Sequence, residues 1–156
     1  MIAHIKTAAV ADYLLHLAFE SNKLYTMTPS KLMNLIYIAQ GAYLATMKTY
    51  LIEEDFEAWE QEPMLTSLLK DLAPYEGKVV DKFYKKNELS KLILLEKKVI
   101  EYIWDIYKEY TESSLREITT MNDSPWHKVR DLFPHYINPL IPKKMLMKYC
   151  KAIPLK

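Results

Sequence analysis

Between Thr28 and Met47 the chain reads T-P-S-K-L-M-N-L-I-Y-I-A-Q-G-A-Y-L-A-T-M, and this run limits the possible folds more than any other. Thr28 before Pro29 is an N-cap residue followed by proline at the first helical position, where the missing N–H costs no hydrogen bond. From there Leu32, Leu35, Ile36, Ala39, Tyr43 and Met47 recur at helical spacing, and Met33, Ile38 and Leu44 make the other side apolar too. A helix apolar nearly all round has no face to give to water, so the rest of the chain must wrap it. It is no membrane span, because Leu32 to Leu44 is too short and contains Asn34 and Gln40. Lys31 and Gln40 on such a helix read as snorkelling and internally hydrogen-bonded residues, or else as polar groups in a groove.

Glycine is scarce, with only Gly41 and Gly77, so turns needing positive φ must draw on Asn, Asp or unusual geometry. That scarcity favours helices over a β-sandwich. Ala11, Leu14, Leu15, Ala18 and Phe19 share one face of a helix from Ala8 to Ser21, with Thr7 as its cap. "FEAW" (Phe56 to Trp59) suits a loop or short strand, and Pro63 then opens a helix from Met64 to Leu72. Lys78 to Tyr84 alternate as another short strand would. A long helix from Glu88 to Tyr110 carries the stripe Leu92, Leu95, Val99, Ile103, Ile106 and Tyr110. Ser114 to Glu117 has capping-box form and starts a helix ending near Thr120. Ser124-Pro125 repeats the cap-plus-proline device before Trp126 to Leu132. Pro134 to Pro142 is extended or looped, and Lys143 to Lys151 forms a last basic helix. The expected fold is mainly α: a single compact helical domain spanning 1–156, of about six to seven helices, with or without a small short-stranded β element.

At 156 residues, half of them hydrophobic, one domain buries roughly 70% of its unfolded surface and needs no staples. The one cysteine, Cys150, excludes an internal disulfide and fits a reducing compartment. Asp12, His16 and Glu20 interrupt the N-terminal apolar run, which speaks against a secretory signal. These readings predict a cytoplasmic protein. Net charge is +1, but it is segregated: Glu53 to Glu62 holds acids and no base, whereas Lys143 to Lys156 holds five lysines and no acid. Such blocks are solvated faces or a polarity that steers a partner.

Conventional chemistry is poorly represented. His4, His16, His127 and His135 have no metal-ligand spacing, and neither glycine belongs to a phosphate-cradling motif. No cofactor and no metal are expected. Cys150 with His127 or His135 lacks the setting of a nucleophile, and Glu53, Glu54 and Asp55 read as solvated acids. Lys82, Lys85, Lys86, Lys91, Lys97 and Lys98, with Phe83 and Tyr84, form the one basic and aromatic run suited to single-stranded nucleic acid, broken by Asp81, Glu88 and Glu96.

Four segments, in order, resemble the Panacea antitoxin domain, the phage-associated family of GepA-like and SocA-like proteins. "VADYLLHLAFES" (10–21) is similar to its opening helix, and "MTPSKLMNLIYIAQGAYLA" (27–45) to its T-P-x-K-L-x-K-L-x-Y-x-A-Q-G-x-x-L helix. "FEAWEQEPM" (56–64) resembles F-E-A-W-x-x-G-P-V, and "LREITTMNDSPWHKVR" (115–130) resembles L-S-x-x-T-H-x-x-x-P-W. The resemblance implies a mostly helical domain that neutralises a toxin by direct contact, with SocA-like members delivering the toxin to a protease. Three positions depart from the pattern: Glu62 stands for glycine, Asn34 for the second lysine, and Thr120 for histidine unless the alignment slips by one residue.

The expected function is therefore an antitoxin, with no catalysis, that binds a cognate toxin protein encoded by an adjacent gene. The alternatives are a SocA-like adaptor that brings the toxin to a cytoplasmic protease, or a nucleic-acid-binding regulator; nucleic acid and membrane are not the expected partners. Candidate partner-binding residues are Trp59, Gln61, Glu62, Pro63, Thr120, Pro125, Trp126 and His127. Trp59 and Trp126 have two readings, as caps on a core edge beside proline-started helices or as aromatic anchors in an interface.

Overall fold

The computed structural model describes residues 2–81 and 91–155. Among them are seven α-helices and one three-stranded sheet, so the chain is mainly helical, as its pattern predicts. The central helix, α2 (Pro29–Met47), is buried at fifteen positions from Ser30 to Ala45, and the Thr28 side chain accepts from the Lys31 N–H as its cap. Around it pack α1 (Ile2–Glu20), α4 (Leu94–Tyr107), α5 (Glu112–Thr119) and α7 (Lys143–Tyr149). Gly41 lets α2 and the end of α7 touch: a Cβ there would stand 2.4 Å from the Cys150 Sγ.

Two left-handed turns replace the missing glycines. Asn22 (φ 56°) closes α1, as an asparagine can, and Lys48 (φ 59°) closes α2, which the sequence does not announce. Gln40 then secures the chain leaving α2. Its side chain accepts from the N–H groups of Leu51 (2.8 Å) and Ile52 (3.1 Å) and donates to the Ile52 carbonyl (2.8 Å). Three buried backbone groups of a loop, which a sheet or helix would ordinarily satisfy, are thus satisfied by one side chain.

Strand β1 (Phe56–Ala58) is central in the sheet, flanked by β2 (Pro63–Met64) and β3 (Leu140–Ile141), antiparallel to both. Pro63 therefore does not open a helix. It pairs opposite Ala58 on an edge strand, where a missing N–H is tolerated, and α3 (Thr66–Leu72) starts three residues later. Helix α6 (Pro125–Leu132) begins at the expected Ser124 cap, whose Oγ accepts from the His127 N–H at 3.2 Å.

Other boundaries differ for local reasons. Thr7 lies inside α1, its hydroxyl bonded to Glu54, rather than capping it. Phe19 is 59% exposed, because α1 turns its Ala11, Leu14, Leu15 and Ala18 face inward without it. Helix α5 is capped by Thr111, not Ser114, which itself donates its N–H to Thr111 Oγ1 at 3.0 Å. In α4, which stops at Tyr107, the inward face is Glu96, Val99, Ile100, Ile103 and Trp104, leaving Leu95 and Ile106 exposed, as is Tyr110 beyond its end. A carboxylate occupies a core-facing slot there: Glu96 accepts from the Ile93 N–H (2.8 Å) and pairs with Lys6 (2.7 Å), so an apolar count is misled about the face. Helix α7 stops at Tyr149. Residues 78–81 form no strand, although Val80 is buried and donates its N–H to the Met27 carbonyl at 2.7 Å. The rest of that expected strand, Lys82 to Tyr84, lies outside the described residues, as do Lys85, Lys86 and the expected start of the long helix at Glu88.

Lys31 is buried on α2 and reaches across to α4. Its ammonium donates to the Lys108 carbonyl (2.9 Å) and to Thr26 Oγ1 (3.2 Å), 5.9 Å from the centre of the Trp104 ring. Burial holds its pKa below the usual lysine range, with the nearby Lys23 acting in the same direction.

Candidate functional site

Residues 56 to 64 form a hairpin whose loop, Trp59 to Glu62, closes when the Trp59 N–H donates to the Glu62 carbonyl at 3.2 Å. Glu62 is not among the described residues with positive φ, so a carboxylate occupies this place without backbone strain. Its side chain points inward and is 12% exposed. Glu62 Oε1 accepts from Ser30 Oγ (2.5 Å), Asn34 Nδ2 (2.8 Å) and Arg116 Nε (3.4 Å). Thr119 donates its hydroxyl to Asn34 Oδ1 at 2.7 Å, and Arg116 also reaches Ser30 Oγ and Glu112. One carboxylate thereby joins the hairpin to α2 and α5. Two of the three departures from the family pattern, Glu62 and Asn34, are direct partners. At the third, the Thr120 hydroxyl donates back to the Arg116 carbonyl at 2.7 Å, while its neighbour Thr119 is the residue that enters the network.

The outer side of the hairpin meets α6. Trp126 donates its indole N–H to the Trp59 carbonyl at 2.7 Å, and Arg130 donates to the adjacent Ala58 carbonyl at 2.8 Å. The Arg130 guanidinium lies 5.4 Å from the Trp126 ring centre, a cation–π arrangement that holds both side chains in register. Trp59 donates its own indole N–H to Glu57 Oε1 at 2.8 Å. The two tryptophan motifs are thus interlocked, with both rings half-buried. Pro63 and Pro125 are buried, Gln61 is exposed, and His127 faces Asp131 at 3.2 Å one turn along α6. The hairpin residues and the start of α6 are brought together; Thr120 shares no hydrogen bond with either.

Beside the interlock lies a surface that the sequence reading passed over as a loop. Leu132, Phe133, Tyr136, Ile137 and Leu140 are 63, 45, 66, 85 and 56% exposed. Trp59, Glu60 and Arg130 form one wall, and Pro134 to Asn138 the other, of a cleft of about 460 Å³. Isolated exposed apolar side chains need no explanation, but five within nine residues concentrate apolar surface in one strip, the signature of an interaction site. The available signal was aperiodic: large apolar residues between Pro134 and Pro142 that match neither helical nor strand spacing.

Among the described residues no three His, Cys, Asp or Glu side chains converge as a metal site. Burial pushes the Cys150 thiol up to about 11, opposite to the shift that activates a nucleophilic cysteine. Burial, and the hydroxyl's bond to Glu101, push Tyr13 upward. No helix among the described residues is long and apolar enough to cross a membrane.

A family model described as antitoxin SocA-like, Panacea domain, matches residues 32–127, which is more than half of the chain. The match runs from the first turn of α2 to the first turn of α6 and takes in the hairpin and both tryptophan motifs. The apolar strip from Leu132 to Leu140 follows it. No curated protein and no solved structure matches the chain.

Proposed function

The chain belongs to the antitoxin SocA-like, Panacea domain family, and from that premise we propose that it is a cytoplasmic antitoxin that neutralises a cognate toxin, encoded beside it, by direct stoichiometric binding. The observation that carries the reading is the exposed strip Leu132, Phe133, Tyr136, Ile137 and Leu140 against the half-buried Trp59. Interfaces concentrate their energy in a few aromatic and aliphatic anchors ringed by polar residues, and here Glu60, Arg130 and His135 provide such a rim. The interlocked hairpin and α6 hold the strip in place before any partner arrives, which lowers the ordering cost of binding. Because the strip lies beyond the matched span, a shared frame can present different anchors to different toxins.

The test is co-expression of the adjacent reading frame with and without this chain. Growth arrest by the neighbour alone, relieved by the chain and accompanied by a co-purifying complex, supports the proposal. A harmless neighbour, or one equally toxic in the chain's presence, removes it. Toxin half-life in the same cells separates the readings: occlusion leaves it unchanged, whereas an adaptor that feeds a protease shortens it.

A further inference from the structure

Cations bracket the apolar strip from Leu132 to Leu140. On α6, Lys128 precedes Leu132 by four residues, so the two exposed side chains share one face of the helix, about 6 Å apart. At the other end α7 begins two residues after β3, and Lys144 and Lys148, one turn apart, are both exposed. Four residues of chain reach at most about 14 Å, so Lys144 stands within that distance of Leu140, inside the roughly 800 Å² that one partner contributes to an ordinary protein interface. Among the described residues none of these three lysines has an ion-pair partner. Lys143, by contrast, is held by Asp55 at 2.7 Å and by the Glu53 carbonyl. Local acids do not cancel the charge. From Lys128 to Lys156 the sequence has seven lysines and arginines against one acid, Asp131, which faces His127 at 3.2 Å, although the whole chain is only +1. The cleft beside the strip carries one acid, Glu60, and one base, Arg130.

Given the strip as the toxin-binding surface, on which this inference rests, we propose that it selects a toxin whose contact face carries carboxylates around an apolar centre. The apolar residues seat on the strip and in the cleft, and the carboxylates meet Lys128, Lys144 and Lys148. Charges at an exposed rim act mainly before contact: each pair adds little once formed, but their summed field orients an oppositely charged partner during diffusion and raises the association rate. Other anionic partners fit this surface less well. Nucleic acid offers phosphates to lysines, but its bases need aromatic faces to stack on, and Leu132, Ile137 and Leu140 supply none. An anionic bilayer would accept the apolar side chains, yet it presents a plane and has no protrusion to enter a cleft of about 460 Å³.

Biolayer interferometry with the full chain immobilised and the product of the adjacent reading frame in solution tests the proposal. Between about 0.05 and 0.5 M NaCl, as screening shortens the reach of the lysines, the association rate should fall about 10-fold or more while dissociation changes less than about 3-fold. The triple variant Lys128→Glu, Lys144→Glu, Lys148→Glu should associate about 10-fold or more slowly at the lower salt, with its dissociation rate and circular dichroism spectrum unchanged. Ile137→Ala should give the opposite split, with faster dissociation and association within about 3-fold of the wild type. A salt-independent association rate, or a triple variant that associates as the wild type does, overturns the proposal. The toxin reading survives that outcome if the wild type still relieves growth arrest, whereas no binding of the neighbour's product removes both. Labelled oligothymidylate and vesicles of phosphatidylserine with phosphatidylcholine test the other occupants. Saturable binding of either that the triple variant loses, with association of the neighbour's product unaffected, assigns the lysines to nucleic acid or lipid instead.

Discussion

Helix α2 and the segment from Leu132 to Leu140 reverse the usual assignment of side chains. The helix buries Ser30, Lys31, Asn34 and Gln40, whereas the segment exposes Leu132, Phe133, Tyr136, Ile137 and Leu140. The polar groups on α2 are retained inside because each is hydrogen-bonded to a neighbouring element: Gln40 to the loop after the helix, Lys31 to the end of α4, Asn34 and Ser30 to Glu62 of the hairpin. Among the described residues nothing comparable covers the apolar strip. Buried polarity in this protein organises the frame, and exposed apolarity is what the frame presents.

If that contrast is right, substitutions in the two regions must fail differently. The largest expected loss is at Gln40: Gln40→Leu leaves three buried backbone groups of Leu51 and Ile52 unpaired, costing about 3–5 kcal/mol, roughly 10 °C in Tm for a chain of this size, as scanning calorimetry would read. A fall below about 1 kcal/mol would mean the loop re-pairs and the helix is less organising than described. Next is Glu62→Ala, which strands Asn34 and Arg116 and should cost about 2–3 kcal/mol in urea unfolding. Combined with Asn34→Ala, the two losses should fall short of additive by about 1 kcal/mol, as for residues that share one network.

On the other side of the comparison, Ile137→Asp should change stability by less than about 0.5 kcal/mol and lower toxin affinity by about 30-fold, the scale of a 2 kcal/mol hot spot. A large stability loss with intact binding would move Ile137 from the presented surface to the frame. Trp126→Phe sits between the regions. It removes the indole N–H but keeps a ring under Arg130, so about 1 kcal/mol of stability should be lost from the unpaired Trp59 carbonyl.

The smallest effect concerns pH. The folded pKa of Lys31 lies below its unfolded value, so the unfolded chain binds more protons in the interval between them. Its contribution therefore improves as pH rises from the lowered folded value towards the ordinary lysine range near about 10.4, the opposite of a lysine stabilised by an acid. Comparing urea midpoints of the wild type and Lys31→Met across that interval checks the sign: the wild type should gain on the variant with rising pH.

How far the sequence was legible follows from the same physics. Thr28-Pro29 and Ser124-Pro125 were readable because a cap and a proline act within one helical turn, and both helices start where those residues place them. The burial of α2 was readable because its apolar residues leave no outward face. Pro63 was misread because its partner Ala58 lies across a turn, and pairing, absent from the local pattern, turned a helix start into an edge strand. The face of α4 was read in part, with Val99 and Ile103 buried as expected and Leu95 and Ile106 exposed, because Glu96, buried beside Lys6, cannot be recognised as a core position by hydropathy. Among the candidate site residues, the two tryptophans stood out as motifs, yet their contact through the Trp59 carbonyl joins positions 67 apart. The exposed strip carried too little periodicity to be noticed.

By itself, then, the sequence determined a helical domain built around one buried helix, and through four ordered segments its likeness to an antitoxin family, because caps, prolines and apolar spacing act over short stretches of chain. Tertiary structure alone decided that Glu62 is an inward-facing junction residue, that the two tryptophan motifs interlock, and that the apolar strip after α6 remains outside. Those outcomes depend on which polar groups find partners across the fold, and a carboxylate in a loop turns inward only when Ser30, Asn34 and Arg116 arrive together to receive it.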